Sequence, residues 1–281
     1  MHWPRELSEI EGQPEHLWVR GRLDVLARGP RIAIVGTRAP TPYGVAQAER
    51  FARALASAGM TIVSGLARGI DHAAHGGALS VRGGTIAVLG SGVDRPWPGG
   101  AMAEAVARDG LLLSEFHPGE PPRPHHFPLR NRVISGLSAG VLVVEAAHAS
   151  GSLITARWAA DQGRNVYALP GRVDHPMSRG THRLLREGAT LVESPEEILH
   201  DLLGEAHAPG SAEDSSRAAV LTDGAKRLLQ ELRGETLTSD ELARRSSRDL
   251  PNVLVDLVEL EMSGLVVRAP GGAYRLTHTG G

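Results

Sequence analysis

The stretch RIAIVGTRAPTPYGVAQAERFARALASAGMTIVSG, residues 31 to 65, decides the fold. It opens on a short apolar run, RIAIVGT (31 to 37), the pattern of a strand covered on both faces. A glycine- and proline-rich turn follows. Next comes YGVAQAERFARALASAG (43 to 59), with Ala, Leu and Phe at helical spacing and Gly59 placed as a C-terminal stop. The second apolar run, TIVSG (61 to 65), completes a βαβ unit, whose two strands are parallel.

The same alternation continues outward through TIAVLG (85 to 90), LLLSEF (111 to 116), GVLVVEA (140 to 146) and NVYALPG (165 to 171). Apolar runs separated by amphipathic stretches predict an α/β domain: an extended Rossmann-like parallel sheet with helices on both faces. Many of the 34 glycines fall just after the strands, where loops of such sheets form a ligand crevice. Residues 1 to 29 read as a short N-terminal extension of weak helical character, 30 to 203 as the main domain, and 204 to 220 as a polar, aperiodic linker. From 221 to 281, three helix-like stretches are followed by LVVR (265 to 268), the turn Pro270-Gly271-Gly272 and YRLT (274 to 277). That order predicts a small C-terminal winged-helix domain. Its third helix is expected to bury Leu254, Leu257, Val258, Leu260 and Leu265, and to present Asn252, Asp256, Glu259 and Ser263 outward. An acidic outer face argues for protein contact or weak DNA binding, although Arg244, Arg245 and Arg248 keep DNA in play.

The chain has no cysteine, which excludes disulfides, thiolate metal sites and cysteine nucleophiles. The opening residues lack the plan of a signal peptide, and no apolar run reaches the roughly 18 residues of a membrane span. A cytoplasmic protein is expected. The formal net charge of −2 hides an uneven distribution: residues 30 to 200 carry 17 arginines and no lysine against 14 acidic groups. Guanidinium groups hold phosphate in a bidentate fork and stack on bases.

Several chemistries are disfavoured by placement. Lys226, the single lysine, has no glycine-rich turn before it, so there is no P-loop. Gly136-Leu137-Ser138-Ala139-Gly140 matches a nucleophile elbow by letters, but its strand follows the serine instead of preceding it. The pairs His72/His75 and His125/His126 lack a carboxylate at a recognised ligand spacing. They read as structural or solvent-facing histidines, so neither a metal nor a cofactor is expected.

Four segments gather at the predicted crevice. Gly36-Thr37-Arg38-Ala39-Pro40-Thr41-Pro42-Tyr43-Gly44 runs from strand into helix, offering Arg38 and helix-start amides to an anion. Ser64-Gly65-Leu66-Ala67-Arg68-Gly69-Ile70-Asp71 sets two glycines around an arginine, with Asp71 as a helix cap. Ser150-Gly151-Ser152-Leu153-Ile154-Thr155-Ala156 brings small hydroxyl residues to another helix start. Pro121-Pro122-Arg123-Pro124-His125-His126-Phe127-Pro128-Leu129-Arg130-Asn131-Arg132 reads as a long connection combining cations with an aromatic, both halves of a single-strand site.

GTRAPTPYG, SGLARGIDHAAH, TIAVLGSGVDRPWP, LLLSEF with FPLRNRVISGLS, VVEAAHASGSLITA and NVYALPG together resemble the DNA processing protein A (DprA/Smf) family. The resemblance spans residues 30 to 200 in unbroken order. It implies a non-catalytic homodimer that binds and protects single-stranded DNA and helps load RecA recombinase onto it during natural transformation. Single-stranded DNA-binding protein is a further implied partner. By the same resemblance, Arg38, Ser64, Gly65, Leu66, Gly69, Phe127, Arg130, Asn131, Arg132, Gly151 and Ser152 are the DNA-contacting positions. Where relatives often carry a lysine before the Phe-Pro pair this chain has Pro124, with Arg123 one position earlier as a substitute. The 30 residues before Arg31 are too few for the N-terminal SAM-type domain of many relatives, so the chain reads as a trimmed version. The alternative is a nucleotide phosphoribohydrolase-like enzyme on a related fold. SGSLITARW stands where those enzymes carry a glycine-rich loop and a catalytic Glu.

Overall fold

The computed structural model of the chain describes residues 4–204, 222–232, 235–262, 265–269 and 272–276. The apolar runs become strands β2 (Arg31–Val35), β3 (Thr61–Ser64), β4 (Thr85–Val88), β5 (Leu111–Ser114), β6 (Gly140–Val143) and β7 (Asn165–Ala168). With β1 (Trp18–Gly21) and β8 (Thr190–Leu191) they form one sheet in the order β1-β5-β4-β3-β2-β6-β7-β8. All neighbours are parallel except β1 and β5. The sheet therefore reverses its strand order at β2 and β6, where Ile32 lies opposite Gly140 and Val35 opposite Val143.

Helices α2 (Pro42–Ser57), α3 (Ile70–Ser80) and α8 (Pro195–Leu203) cover one face, and α5 (His126–Gly136), α6 (Ser152–Asp161) and α7 (Arg179–Arg186) contribute to the other. Alternate residues of one strand serve the two faces. Ile32 and Ile34 pack with Phe51 and Leu55 of α2, whereas Ala33 and Val35 pack with Val133 and Ile134 of α5. A short helix α4 (Ala101–Asp109) lies between β4 and β5 in the chain.

The N-terminal segment differs from the expected appendage. Leu7 of α1 (Arg5–Ser8), Ile10 and Val25 are buried in the main core, and β1 pairs antiparallel with β5. Arg31 ties this segment down by an ion pair with Glu6 and a 2.8 Å bond to the Leu26 carbonyl. A four-residue edge strand, half covered at one end and open at the other, lacks the alternation that marks a strand in sequence.

Chain contacts divide the protein into two units, Met1–Ala208 and Pro209–Gly281. The linker expected at 204 to 220 lies, apart from Gly204, outside the described residues, as do Pro270 and Gly271 of the expected wing turn. In the second unit, α9 (Asp223–Glu231), α10 (Ser239–Ser246) and α11 (Leu250–Met262) precede the hairpin of β10 (Val266–Arg268) and β11 (Ala273–Leu276). A third strand, β9 (Leu237–Thr238), pairs with β11. The helix phase of α11 differs in part from the one expected: Leu257 and Leu260 are buried and Asn252 is exposed as read, Asp256, Leu254 and Val258 change places, and Ser263 lies outside the described residues. Asp256 is buried, ion-paired with Arg248 and bonded by the Thr222 hydroxyl at 3.0 Å. Leu254, 40 % exposed, and Val258, 49 % exposed, face outward, while Val253, Leu257 and Leu260 fill the core. The outer face of α11 is thus mixed, with Leu254, Val255 and Val258 beside Asn252 and Glu261, and less acidic than expected.

Candidate nucleic-acid interface

Where the strand order reverses, the loops after β2 and β6 diverge and leave a crevice. The cavity there, about 620 Å³, is lined by Gly36 and Arg38 after β2, Ala67 and Asp71 after β3, and Phe127, Arg130 and Asn131 of α5. Ser150, Gly151, Ser152 and Thr155 at the start of α6 close the other side. All four expected segments thus converge as lining, the second through Ala67 and Asp71.

Arg130 is the deepest cation, only 4 % exposed. Its Nη1 donates to the Gly65 carbonyl at 2.7 Å and to the Val88 carbonyl, joining the ends of β3 and β4. Its buried Nε has no hydrogen-bond partner among the described residues. Burial lowers its pKa to about 10, partly offset by Asp71, so it stays cationic at neutral pH. Arg38 is exposed, and among the described residues no ion pair holds it. Both cations lie within cation–π range of the Phe127 ring, the Arg38 guanidinium carbon 5.5 Å and that of Arg130 5.9 Å from its centroid. Phe127 itself is half-buried on the wall.

The turn after β3 shapes the floor. Ser64 donates to the Ile34 carbonyl at 2.7 Å, and buried Leu66 adopts a left-handed backbone, φ 59°. A side chain at Gly65 would begin 2.6 Å from the Arg130 guanidinium, so only glycine admits that cation. Gly69 has φ 87°, a conformation open to glycine, and sits against the Thr37 carbonyl. Asp71 does not cap α3 as expected: the cap position is Gly69, and Asp71 Oδ2 accepts the Gly65 and Ala67 amides at 3.0 and 3.3 Å. Burial pushes its carboxyl pKa up, against the opposing effects of Arg130 and those amides. Sequence reasoning left Asp71 outside the site. The signal was present, since a carboxylate following a two-glycine turn can gather that turn's amides.

The start of α2 is also not the open anion site expected. Thr41 caps it, and the buried Glu145 carboxylate accepts the Thr41 amide at 2.9 Å and hydroxyl at 2.5 Å. A built-in anion occupies that position. The start of α6 carries no side-chain cap, and Gly151 has open space where a side chain would be. Ser152 is buried, its hydroxyl 2.8 Å from that of Ser150, and Asn131 Nδ2 donates to the Gly151 carbonyl at 3.3 Å.

Two expected cations lie elsewhere. The segment read as a long loop becomes α5 from His126 onward. At about 100° per residue, Phe127 and Arg130 share a face while Arg132 turns away. Arg132 places both terminal nitrogens on Glu115 at 2.7 and 2.6 Å, and Nε on the Gly12 carbonyl at 2.8 Å. It anchors the N-terminal segment and does not line the crevice. Arg123 is exposed, paired with Glu120 at 3.0 Å, and also off the lining.

Among the histidines, His75 is buried with Nδ1 2.7 Å from the Thr85 hydroxyl, and burial lowers its pKa to about 3. His126 stacks on Phe116 at 3.9 Å. Ser138 is buried with its hydroxyl on the Ile134 carbonyl at 2.8 Å.

A doubly wound parallel sheet with an arginine-lined crevice at its switch point defines a Rossmann-like binding protein. Residues 1–203 match the family model "DNA recombination-mediator protein A", and residues 211–272 match the "DprA winged helix domain". The chain belongs to the DprA/Smf family. It is 44 % identical over 281 residues to Protein Smf of Escherichia coli, covering 98 % of this chain and 75 % of that one. The crystal structure of DprA from Streptococcus pneumoniae superposes with a TM-score of 0.68 at 44 % identity, covering 71 % of each chain. DNA processing protein A from Helicobacter pylori, described for its single-stranded DNA binding mode, superposes with a TM-score of 0.66 at 32 % identity, covering 72 % of this chain and 94 % of that one.

Proposed function

We propose that this chain binds single-stranded DNA in the crevice between β2 and β6. The observation that carries the reading is the Arg38, Phe127 and Arg130 stack: two guanidinium groups on one aromatic ring, at the mouth and floor of an open cavity. Arg38 contacts a phosphate from the rim, and the Arg130 guanidinium supplies positive charge at the floor. Phe127 offers a face to a base. Gly151 and Ser152 supply a helix start with space around it. Ser64, Gly65, Leu66 and Gly69 shape the floor and hold Arg130 in place, and Asn131 positions the Gly151 turn. The DNA-binding mode described for the Helicobacter pylori relative supports this reading.

The role is binding, not catalysis, in the cytoplasm. Among the described residues no helix is long and apolar enough to cross a membrane. Family membership supports the finer proposal that a homodimer protects incoming strands during natural transformation and helps load RecA recombinase onto them, alongside single-stranded DNA-binding protein. Binding of a poly-dT oligonucleotide across a salt series tests the core of the reading. Arg38→Ala should weaken it roughly tenfold or more and reduce the slope of log K against log salt by about 0.7. Unchanged affinity and slope would refute the assignment.

A further inference from the structure

We propose that the loop after β4 carries a second contact for the same strand, with the Trp97 indole as a platform for a base and Arg95 beside it for a phosphate. This rests on the crevice being a single-stranded DNA site, and extends that site along the rim formed by the strand C-termini.

The loop starts at the crevice. A side chain at Gly90 would begin 2.9 Å from the Phe127 ring, so the chain leaves β4 directly beneath that ring. It is then strapped down at successive residues. The Ser114 hydroxyl donates to the Ser91 carbonyl at 2.7 Å, the Gly92 amide to the Glu120 carbonyl at 2.9 Å, and the Gly119 amide to Asp94 Oδ1 at 2.8 Å. The Ser91 hydroxyl and the Gly92 carbonyl close the loop on the Arg95 backbone, and Val93 is buried in the core. The loop is therefore anchored to the same connection that leads into α5 and Phe127.

On that anchored loop Trp97 stands 55 % exposed, between Pro96 and Pro98, both half-buried. Proline fixes φ on either side of it, so the position is set by backbone constraint. Arg95 is exposed, and no ion pair holds it among the described residues. The neighbouring carboxylate, Asp94, is engaged by the Gly119 amide. A large ring and an uncommitted guanidinium two residues apart on a braced loop fit a polynucleotide, because stacking is tolerant of base identity and the cation tracks the backbone. Trp97 is seven residues from Gly90, a span of at most about 25 Å.

The test is fluorescence anisotropy of labelled dT20 with the full chain and three variants: Trp97→Ala, Trp97→Phe and Arg38→Ala. The expected result is a roughly five- to hundredfold loss for Trp97→Ala, with Trp97→Phe within about twofold of the parent because an aromatic face is retained. Equal affinity of Trp97→Ala and parent, with Arg38→Ala weakened, would overturn the platform and leave the crevice standing. An equal loss in Trp97→Ala and Trp97→Phe would overturn stacking. A parent that fails to bind dT20, or an Arg38→Ala that binds like the parent, would remove the crevice reading and the platform with it.

Discussion

Arg38, Arg130 and Arg132 were equivalent as letters, and their surroundings make them three different residues. Arg38 is exposed and uncommitted, Arg130 is buried with a carboxylate nearby, and Arg132 is spent on Glu115 and Gly12. Arg132→Met should destabilise the protein by about 1.5–3 kcal/mol in urea unfolding, because Glu115 is left without its charged hydrogen-bond partner, while dT20 affinity stays near that of the parent. Recovery in the double variant Arg132→Met/Glu115→Leu would confirm that the loss comes from the stranded carboxylate. Arg130→Ala should lower both binding and stability, since it also strips a donor from the Gly65 and Val88 carbonyls. His75 gives a pH signature. Its folded pKa, about 3, is below the ordinary histidine value of 6.5, so the unfolded chain binds the proton more tightly. Stability is complete above pH 6.5 and falls on acidification toward pH 3, by up to about 1.4 kcal/mol per unit. Asp71, with its raised pKa, acts in the opposite direction. Melting temperatures of parent and His75→Asn between pH 7 and 5 isolate the histidine: the variant should show the flatter profile.

At the scale of elements, what the sequence made legible were the strands buried on both faces. β2, β3, β4, β5 and β6 are fully covered and read as continuous apolar runs. The loops after them were equally legible, because glycines and helix starts collect there. β1 and β8 were not, being four and two residues long with partly or fully exposed side chains. Helical phase was lost in two places. In α5 the prolines before and after His126 suggested a loop, although proline is tolerated in a first helical turn, and without the helix nothing separates Arg130 from Arg132. In α11 apolar residues occur on every face, so the stripe through Leu257 and Leu260 could be widened toward Leu254 and Val258 as readily as toward Val253. The buried Asp256 broke the usual rule because Arg248 and Thr222 neutralise it. The status of the N-terminal segment yields a further prediction. A chain beginning at residue 30 loses Leu7, Ile10 and Val25 from the core, each worth about 1.5–3 kcal/mol. Its first unit should unfold at markedly lower denaturant, and an unchanged midpoint would show the segment to be dispensable.

For the molecule as a whole, the crevice lies entirely within the first unit. A chain ending at Leu203 should therefore retain dT20 binding within about threefold of the full chain, while gel shifts with duplex DNA of equal length stay weak for both. Loss of single-strand binding on truncation would assign part of the site to the second unit. The two margins of the large sheet bear on how copies of the protein meet. On one side the sheet stops at a four-residue antiparallel strand, and on the other at a two-residue one. The two-residue margin leaves too short a run of vacant peptide groups to template another strand. A twofold partnership made at the two-residue margin would therefore rest on interlocking side chains, and single substitutions on a helix or loop there should suffice to take it apart.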